Sequence, residues 1–399
     1  MSLRVTTAGL FQQGVASMQA QSQALAKLQS QMATNMRYTR AGEDPVAAAR
    51  ALNVDKALAD AAQWTSNIGS AQDRLNLEEG ALSGATDALS RIRELAVMAN
   101  SGTATDSDRK SIAQEMTERL SQLMSQANAR DGQGGYIFSG SRTQSRPFDK
   151  IGSSFIYQGD TMVSQLAIGS NRDISMSDAG NDVFMSIGSG NGQIAVSAGS
   201  GNQGSTIVQN LGFSDSSLWD GGTYSIGFSA GNYSVLDAAG NLVSSGVYTA
   251  NEAISLRGAS ITLNGAPSDG DTFTIAPSQQ QDVFTTVQNM IDVVSGSGRT
   301  PAQTSRDQTT MYNTLQSLDT AIDHITDVRG GVGARLNALD DAGAQLDARS
   351  VQLQETLSGL REIDYTSAAA QLSQTTTTLQ AAQQSYLKIQ SLSLFDYLR

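Results

Sequence analysis

The sequence predicts an α+β multidomain protein in which the N- and C-terminal helices form a coiled-coil or helical-bundle rod and an antiparallel β domain is inserted in the middle. Apolar residues recur at alternating steps of three and four near both ends of the 399-residue chain, as in helices that pack along a shared seam. The middle is rich in glycine and in short alternating runs, which are typical of strands. The two ends must therefore meet in one bundle.

The C-terminal stripe is the clearest of these patterns. Its apolar positions are Leu318, Ile322, Ile325, Val332, Leu336, Leu339, Leu346, Leu353, Leu357 and Leu360. Near Asp364 the step changes to four and four, and the stripe resumes at Ala368, Leu372, Leu379, Ala382, Tyr386 and Ile389. Such a change alters the local supercoil, so we predict a segment boundary there.

Three apolar runs in the N-terminal third of the chain have the same helical spacing as the C-terminal stripe. They comprise Met18, Leu25, Leu28 and Met32; then Ile68, Ala71, Leu75, Leu82, Ala85, Leu89, Ile92, Ala96 and Ala99; and last Ile112, Met116, Leu120, Leu123 and Ala127. Between the first two runs, Asp44 precedes Pro45, an N-cap residue followed by the residue favoured at the first helical position. A new helix is predicted to begin there. The stripes alone fit either an intramolecular bundle or a seam between molecules.

The middle segment predicts short antiparallel strands joined by turns. The alternating runs are Thr223 to Phe228, Tyr233 to Leu236, Leu242 to Tyr248, Ile261 to Leu263 and Phe273 to Ile275. Turn-forming residues follow at Ala239-Gly240-Asn241 and at Pro267 to Asp271. Glycine- and serine-rich stretches at 186–205 and 295–300 predict loops or linkers.

Charge and composition exclude several classes of protein. Residues 151–280 carry ten acidic side chains against Arg172 and Arg257, and the whole chain has a net charge of −12. Such a surface disfavours nucleic acid. The chain has no cysteine, which removes disulfides and thiol chemistry. The first twenty residues lack the apolar core of a secretory signal, and no long apolar run predicts a membrane span.

Two patterns superficially suggest an enzyme. Gly227 to Gly231 match the serine-hydrolase elbow, with His324 downstream. An elbow serine is followed by a helix, whereas strand and turn patterns follow Ser229, so a plain hairpin is predicted. His324 is the only histidine in the chain and falls beside seam positions, which favours a flanking helix residue. We expect neither catalysis nor a cofactor.

Three further clusters also favour structural roles. Asp269 and Asp271 flank a glycine, but no calcium-binding loop surrounds them, so a solvated turn is predicted. Arg329 to Gly333 superficially resembles a phosphate loop without its lysine, and its glycines predict a kink or a close helix approach. Glu78 and Glu79 lie on a helix, where exposure to solvent is expected.

Several segments near both ends resemble those of flagellin-like axial proteins. Arg40 to Ala48 resembles the entry to the first long core helix, and Arg91 to Ala96 and Val332 to Asn337 resemble segments shared with flagellins. The segment Gly135-Tyr136-Ile137-Phe138-Ser139-Gly140, with Pro147-Phe148 and Tyr157 to Asp160, is similar to the flagellar hook-associated protein 3 family. The C-terminal Ser393 to Leu398 also fits an axial protein.

This resemblance implies a structural, non-enzymatic subunit at the junction of hook and filament, exported by the flagellar type III apparatus. It implies three domains: 1–40 with 365–399, 41–140 with 281–364, and 141–280. The implied partners are further copies in a ring or helical array, hook-associated protein 1, flagellin and a cytoplasmic export chaperone. Neither nucleic acid nor membrane insertion is expected.

The terminal apolar residues are predicted to form the assembly interface when subunits stack. They are Leu3, Val5, Leu10, Phe11, Met18 and Leu25, pairing with Leu379, Tyr386, Ile389, Leu392, Leu394, Phe395 and Leu398. Surrounded by Gln, Ser and Thr, they bury little surface in a monomer, so the segments are expected to order on assembly. A filament flagellin is the nearest alternative. A carbohydrate-binding or adhesive β module on a coiled-coil stalk, or a hydrolase built around Ser229, represents a different class.

Overall fold

The chain forms two compact units. The computed structural model describes the backbone of residues 7–397 and the side chains of residues 11–388. The first unit combines residues up to Ser66 with residues from Gly343 onward, and the second comprises Asn67–Ala342. The predicted three-domain boundaries stay a prediction.

The first unit consists of helices from both ends of the chain. These are α1 (Thr7–Thr34), α6 (Tyr365–Tyr397), the start of α2 (Pro45–Ala99) and the end of α5 (Pro301–Arg361). The predicted start of α2 is confirmed, because the carboxylate of Asp44 accepts a hydrogen bond from the N–H of Ala47 at 3.0 Å. The boundary near Asp364 is confirmed as well, since α5 ends at Arg361 and Asp364 caps α6 by accepting from the N–H of Thr366 at 2.9 Å.

The helical part of the second unit contains most of α2 and α5, with α3 (Asp106–Ala127) and α4 (Val283–Ser295). Helices α2 and α5 run antiparallel, because Gln72 contacts Asp340 whereas Arg93, further along α2, contacts Asp319. Every α2 seam residue predicted from Ile68 to Ala99 is buried. On α5, Leu318, Ile325, Val332 and Leu339 are buried too. Each such side chain contributes about 1.5–3 kcal/mol of transfer free energy.

Fourteen strands occur in the described residues, all in antiparallel pairs. Two hairpins come first, β1 (Phe148–Ile151) with β2 (Ser154–Tyr157) and β3 (Gln165–Gly169) with β4 (Arg172–Ser175). A π-helical turn follows at Asn181–Met185. The short strands β5 (Ile187–Gly188) and β14 (Gln280–Gln281) pair where the chain enters and leaves the β domain.

The β domain is a sandwich of two sheets around one apolar core. Its strands are β6 (Ile194–Ala198), β7 (Ile207–Phe213), β8 (Tyr224–Ser229), β9 (Asn232–Asp237), β10 (Leu242–Val247), β11 (Ala253–Leu256), β12 (Ala259–Asn264) and β13 (Thr272–Pro277). The sheet orders are β10-β9-β8-β13-β6 and β11-β12-β7. Alternate residues of both sheets, such as Ile226, Val235, Ile261 and Ile275, are fully buried. The predicted fold class is confirmed.

Two local predictions were wrong. Residues 186–205 contain β5 and β6 rather than only loop, because Ile194 and Val196 supply apolar anchors among the glycines. The glycines at 330, 331 and 333 do not allow a close helix approach, whereas the kink that was the other expectation stays a prediction. They lie inside a continuous helix, and a Cβ atom added at any of them would meet nothing within 4 Å.

Gly331→Ala is therefore expected to stabilise the protein by about 0.5–1 kcal/mol, because alanine has the higher helix propensity. Gly140→Ala is the matched contrast. At Gly140 φ is +67°, and an added Cβ would lie 2.2 Å from the carbonyl oxygen of Asp160, so a loss of about 2 kcal/mol or more is expected. Urea unfolding of both variants checks the pair. A lower free energy of unfolding for Gly331→Ala than for the wild type would contradict this prediction, because it would mean that other residues pack against this face of α5.

Candidate assembly surface

Helices α1 and α6 pair within one chain to form the terminal hairpin. The rings of Phe11 and Tyr386 meet edge to face with centroids 5.7 Å apart. At the other end, the Tyr365 hydroxyl donates to the carbonyl oxygen of Met32 at 2.7 Å. The helices are therefore antiparallel, and this register places Met18 and Leu25 level with Leu379 and Leu372. A bridge between Met36 and Glu362 closes the pair.

The described part of the predicted interface lies along this hairpin. Phe11, Met18, Leu25, Leu379 and Tyr386 are half-buried on its seam. Leu3, Val5 and Leu398 lie outside the described residues. Leu10, Ile389, Leu392, Leu394 and Phe395 belong to the two helices, but their side chains lie outside the described set. The structure thus brings Phe11 and Tyr386 together, and the interface role stays a prediction.

The terminal hairpin has almost no closed core. Among the described residues of the first unit, the buried apolar side chains are Ala47, Ala51, Ala61, Leu346 and Ala368. The second unit buries complete phenylalanine, leucine and methionine side chains. Two helices in contact cover only one face of each other, so Met18 and Leu25 remain partly exposed. Apolar residues also lie outside the seam, with Val15 38% and Leu387 63% exposed.

The segments that resemble the junction family contribute Phe138, Phe148 and Tyr157 to an aromatic cluster. This aromatic cluster is defined as Phe138, Phe148, Phe155, Tyr157, Phe184 and Phe284, all buried except the half-buried Tyr157. Phe148 lies 5.3 Å from Phe284 and 5.5 Å from Phe184, centroid to centroid. The Tyr157 hydroxyl bonds the carbonyl oxygens of Phe138 and Asp160 at 2.9 and 2.8 Å, and burial raises the pKa of Tyr157 to about 12. These residues join α4 to the β1–β2 hairpin, so their role is structural.

The hairpin prediction at Ser229 is confirmed. Ser229 pairs with Asn232 across a two-residue turn, in which Ala230 and Gly231 have φ values of 48° and 75°. Both values are positive, as the tight hairpin turn requires. Strand β9 follows where an elbow would need a helix, so Ser229 is not built as a nucleophile.

The other two candidates have structural partners. His324 is half-buried on α5, and its Nε2 lies 2.7 Å from the carbonyl oxygen of Asp182. The solvated turn predicted at Asp269 and Asp271 is confirmed for Asp269, which is exposed in a turn, but was wrong for Asp271, whose side chain is only 2% exposed. Its carboxylate accepts from the backbone N–H groups of Gln203, Gly204 and Ser268 at 2.7–3.0 Å. Asp271 thereby fixes two loops of the sandwich.

The predicted exposure of Glu78 was also wrong, because its side chain is fully buried. Leu75 and Leu82 are seven residues apart, and Glu78 occupies the seam position between them. One of its oxygens accepts from the N–H of Asp178 at 2.8 Å, and the other has no hydrogen-bond partner. Burial, followed by the Asp178 carboxylate, raises the pKa of Glu78 to about 8. Arg335 pairs with Asp178, and Arg74 with Asp131.

Within residues 7–397 no helix is long and apolar enough to cross a membrane. The same part of the chain contains no group of three or more His, Asp or Glu side chains placed to hold a metal ion.

Both ends of the chain match the flagellin class of helical proteins. The bacterial flagellin N-terminal helical region matches residues 5–143, and the bacterial flagellin C-terminal helical region matches residues 315–398. These matches cover the helical stripes found at both ends, including α1 and α6. They define the protein as flagellin-like at its termini.

Curated relatives and solved structures narrow this class. The chain is 33% identical over 187 residues to flagellar hook-associated protein 3 of Salmonella typhimurium and 30% identical to that of Escherichia coli, covering 47% of this chain and 58% of each relative. FlgL of Xanthomonas campestris is 34% identical with a TM-score of 0.73, covering 76% of this chain and 99% of that one. The flagellar junction protein of Legionella pneumophila is 29% identical with a TM-score of 0.72, covering 78% and 100%. The chain belongs to the flagellar hook-associated protein 3 family.

The burial of Glu78 predicts that the stability of the protein depends on pH. Between about pH 4.5 and pH 8 folded Glu78 keeps a proton that the unfolded chain releases, so its contribution to stability falls as pH rises through this window. Glu78→Gln can still accept from Asp178 and does not ionise. We expect the variant to match the wild type near pH 5 and to exceed its free energy of unfolding increasingly towards pH 9.

Urea unfolding at pH 5, 7 and 9 measures this difference. Glu79→Gln is the matched control, because Glu79 is only half-buried and pairs with Arg329 at 2.9 Å. Glu79→Gln should have a lower free energy of unfolding than the wild type, and this difference should not widen as pH rises. Parallel stability curves for the Glu78→Gln and wild-type proteins would show that Glu78 is charged in the fold.

Proposed function

We propose that the protein is a structural axial subunit of the bacterial flagellum that forms the junction between hook and filament. Membership of the hook-associated protein 3 family supports this role, since both curated relatives are named as hook-associated proteins and the relative from Legionella pneumophila is named as a flagellar junction protein. The curated matches span 58% of the length of those relatives, so the role of the whole protein rests on this proposal. The observation that carries it is the open terminal hairpin.

The terminal hairpin is an interface that further copies complete. Its seam residues are half-buried in one chain, and exposed Val15 and Leu387 add apolar surface beside the seam. Contact with neighbouring copies would remove this surface from water, at about 25 cal/mol per Å² of apolar area. The proposed interface comprises Leu3, Val5, Leu10, Phe11, Met18, Leu25, Leu379, Tyr386, Ile389, Leu392, Leu394, Phe395 and Leu398.

Copies of one chain that join head to tail form rings or helical arrays. A junction also needs a neighbour at each end, for which hook-associated protein 1 and flagellin are the proposed partners. Before assembly, exposed apolar residues such as Leu387 make α6 prone to aggregation. We assign their protection to an export chaperone, and secretion to the flagellar type III apparatus.

Deleting the gene in its flagellated host tests the junction role. We expect bare hooks and monomeric flagellin in the medium, because filament subunits would be exported without a platform on which to polymerise. Electron microscopy of the hooks and an assay of secreted flagellin measure both effects. Bare hooks without secreted flagellin would point to a filament subunit, and normal filaments would overturn the proposal.

Complementation of the deletion strain then tests the surface itself. Leu387→Asp places a charge on the exposed apolar face of α6 without opening a folded core, so the monomer should remain stable while filaments fail to form. Gln384→Asp adds the same charge one helical turn away at an exposed polar position, and it should restore filaments. Normal motility with Leu387→Asp would exclude this face from the interface.

A further inference from the structure

One face of α5 runs along the edges of both sheets of the β sandwich. We call it the edge row and define it as Thr309, Tyr312, Asn313, Ser317 and Thr320. Thr309, Asn313, Ser317 and Thr320 recur at steps of four, four and three, and Tyr312 lies three residues after Thr309, so the five share one side of the helix. Thr309 and Ser317 are buried, and Tyr312 packs on the sandwich core.

The edge row supplies hydrogen-bond acceptors to β7. The N–H of Val208 donates to Thr309 Oγ1 at 3.4 Å, and the N–H of Leu211 donates to the Tyr312 hydroxyl oxygen at 2.9 Å. Strand β7 is an edge strand that pairs only with β12, so these two groups lie on its open side. Burial raises the pKa of Tyr312, which keeps this hydroxyl neutral.

The same row reaches β6, the edge of the other sheet. The N–H of Val196 donates to Asn313 Oδ1 at 3.3 Å. Just before this strand, the N–H of Gly190 donates to Ser317 Oγ at 2.7 Å, and its carbonyl oxygen accepts from Thr320 Oγ1 at 3.0 Å. One helix face therefore takes the place of a neighbouring strand for two sheets.

Both covered edges lack two common protections against strand addition, charged residues and proline. An open strand edge is a template for another chain, and proteins commonly protect it with charges, proline, a bulge or a short strand. Strands β6 and β7 contain no charged residue and no proline. On the opposite side of the sandwich, β10 carries a register shift and β11 has only four residues. Strand β7 also carries a register shift, where it pairs with Thr262 and Leu263. The cover by α5 therefore adds to this irregularity on β7, and it is the protection that β6 has apart from its length of five residues.

We propose that the edge row is an autoinhibitory contact that keeps a second copy of this chain from adding a strand to β6 or β7. A second copy is the relevant partner because the proposed function brings many identical chains together, and uncharged strands do not repel each other. The contact thereby directs association to the terminal helices.

The double variant Thr309→Val/Tyr312→Phe removes both acceptors of β7 with little change in side-chain volume. We expect amide hydrogen exchange at Val208 and Leu211 to rise about fivefold to tenfold, as the loss of one modest hydrogen bond per amide implies. Analytical ultracentrifugation should show concentration-dependent association beyond that of the control. Thr310→Val is the matched control, because Thr310 is exposed and bonds its own helix at the carbonyl oxygen of Arg306.

Unchanged exchange at Val208 and Leu211 would overturn the proposal, and so would faster exchange without added association. If the double variant fails to fold, each single variant is measured in the same way, and Asn313→Leu tests the β6 edge through the Val196 amide. These readouts use the monomer in solution, so their failure is distinct from a failure of the junction role, which the deletion strain reports.

Discussion

Two helices that pair only with each other leave most of their surface to water, and this geometric constraint governs the first unit. The seam from Phe11 to Leu25 meets the seam from Leu372 to Tyr386, yet these side chains stay half-exposed. The two ends of the chain form this helix pair, but no closed apolar core surrounds it among the described residues. The stability that the pair lacks is available from other molecules of the same kind, which is why we assign assembly to it.

The second unit, in contrast, has a closed apolar core. Its α2 seam is buried from Ile68 to Ala99, most of its α5 seam is buried as well, and the aromatic cluster joins α4 to the first hairpin. Its polar groups are matched in detail: Asp271 satisfies three backbone N–H groups, and the edge row of α5 satisfies two sheet edges. These features are typical of a unit that is stable without further copies. Glu78 and Glu79 are among the exceptions in the described residues, since one oxygen of each is buried without a hydrogen-bond partner.

Periodic signals in the sequence predicted the main elements well. The seams of α2 and α5, the start of α2 at Asp44 and five strands of the sandwich all follow from local pattern, because each depends on apolar spacing or on one capping residue. Resemblance to a known family suggested the junction role. The segments that resemble the junction family contribute buried residues to the core of the second unit. The β insert was predicted as a class of structure, but its sheet order depends on pairings distant in sequence.

The errors arose where tertiary contacts outweigh local preference. Glu78 was expected on the surface because glutamate usually is, although its spacing from Leu75 and Leu82 marks the seam. Asp271 looks like a turn residue, and only the approach of residues 203 and 204 buries it. The edge row could not be predicted at all, since threonine and serine at helical spacing carry no signal without the strands they contact.

Amide hydrogen exchange on α1 and α6, measured in the monomer and in the assembled junction, tests the central claim most directly. We predict weak protection of both helices in the monomer, strong protection after assembly, and strong protection of α2 and α5 within the second unit in both states. Full protection of α1 and α6 in the monomer would show that the terminal hairpin is stable alone, and would contradict the account.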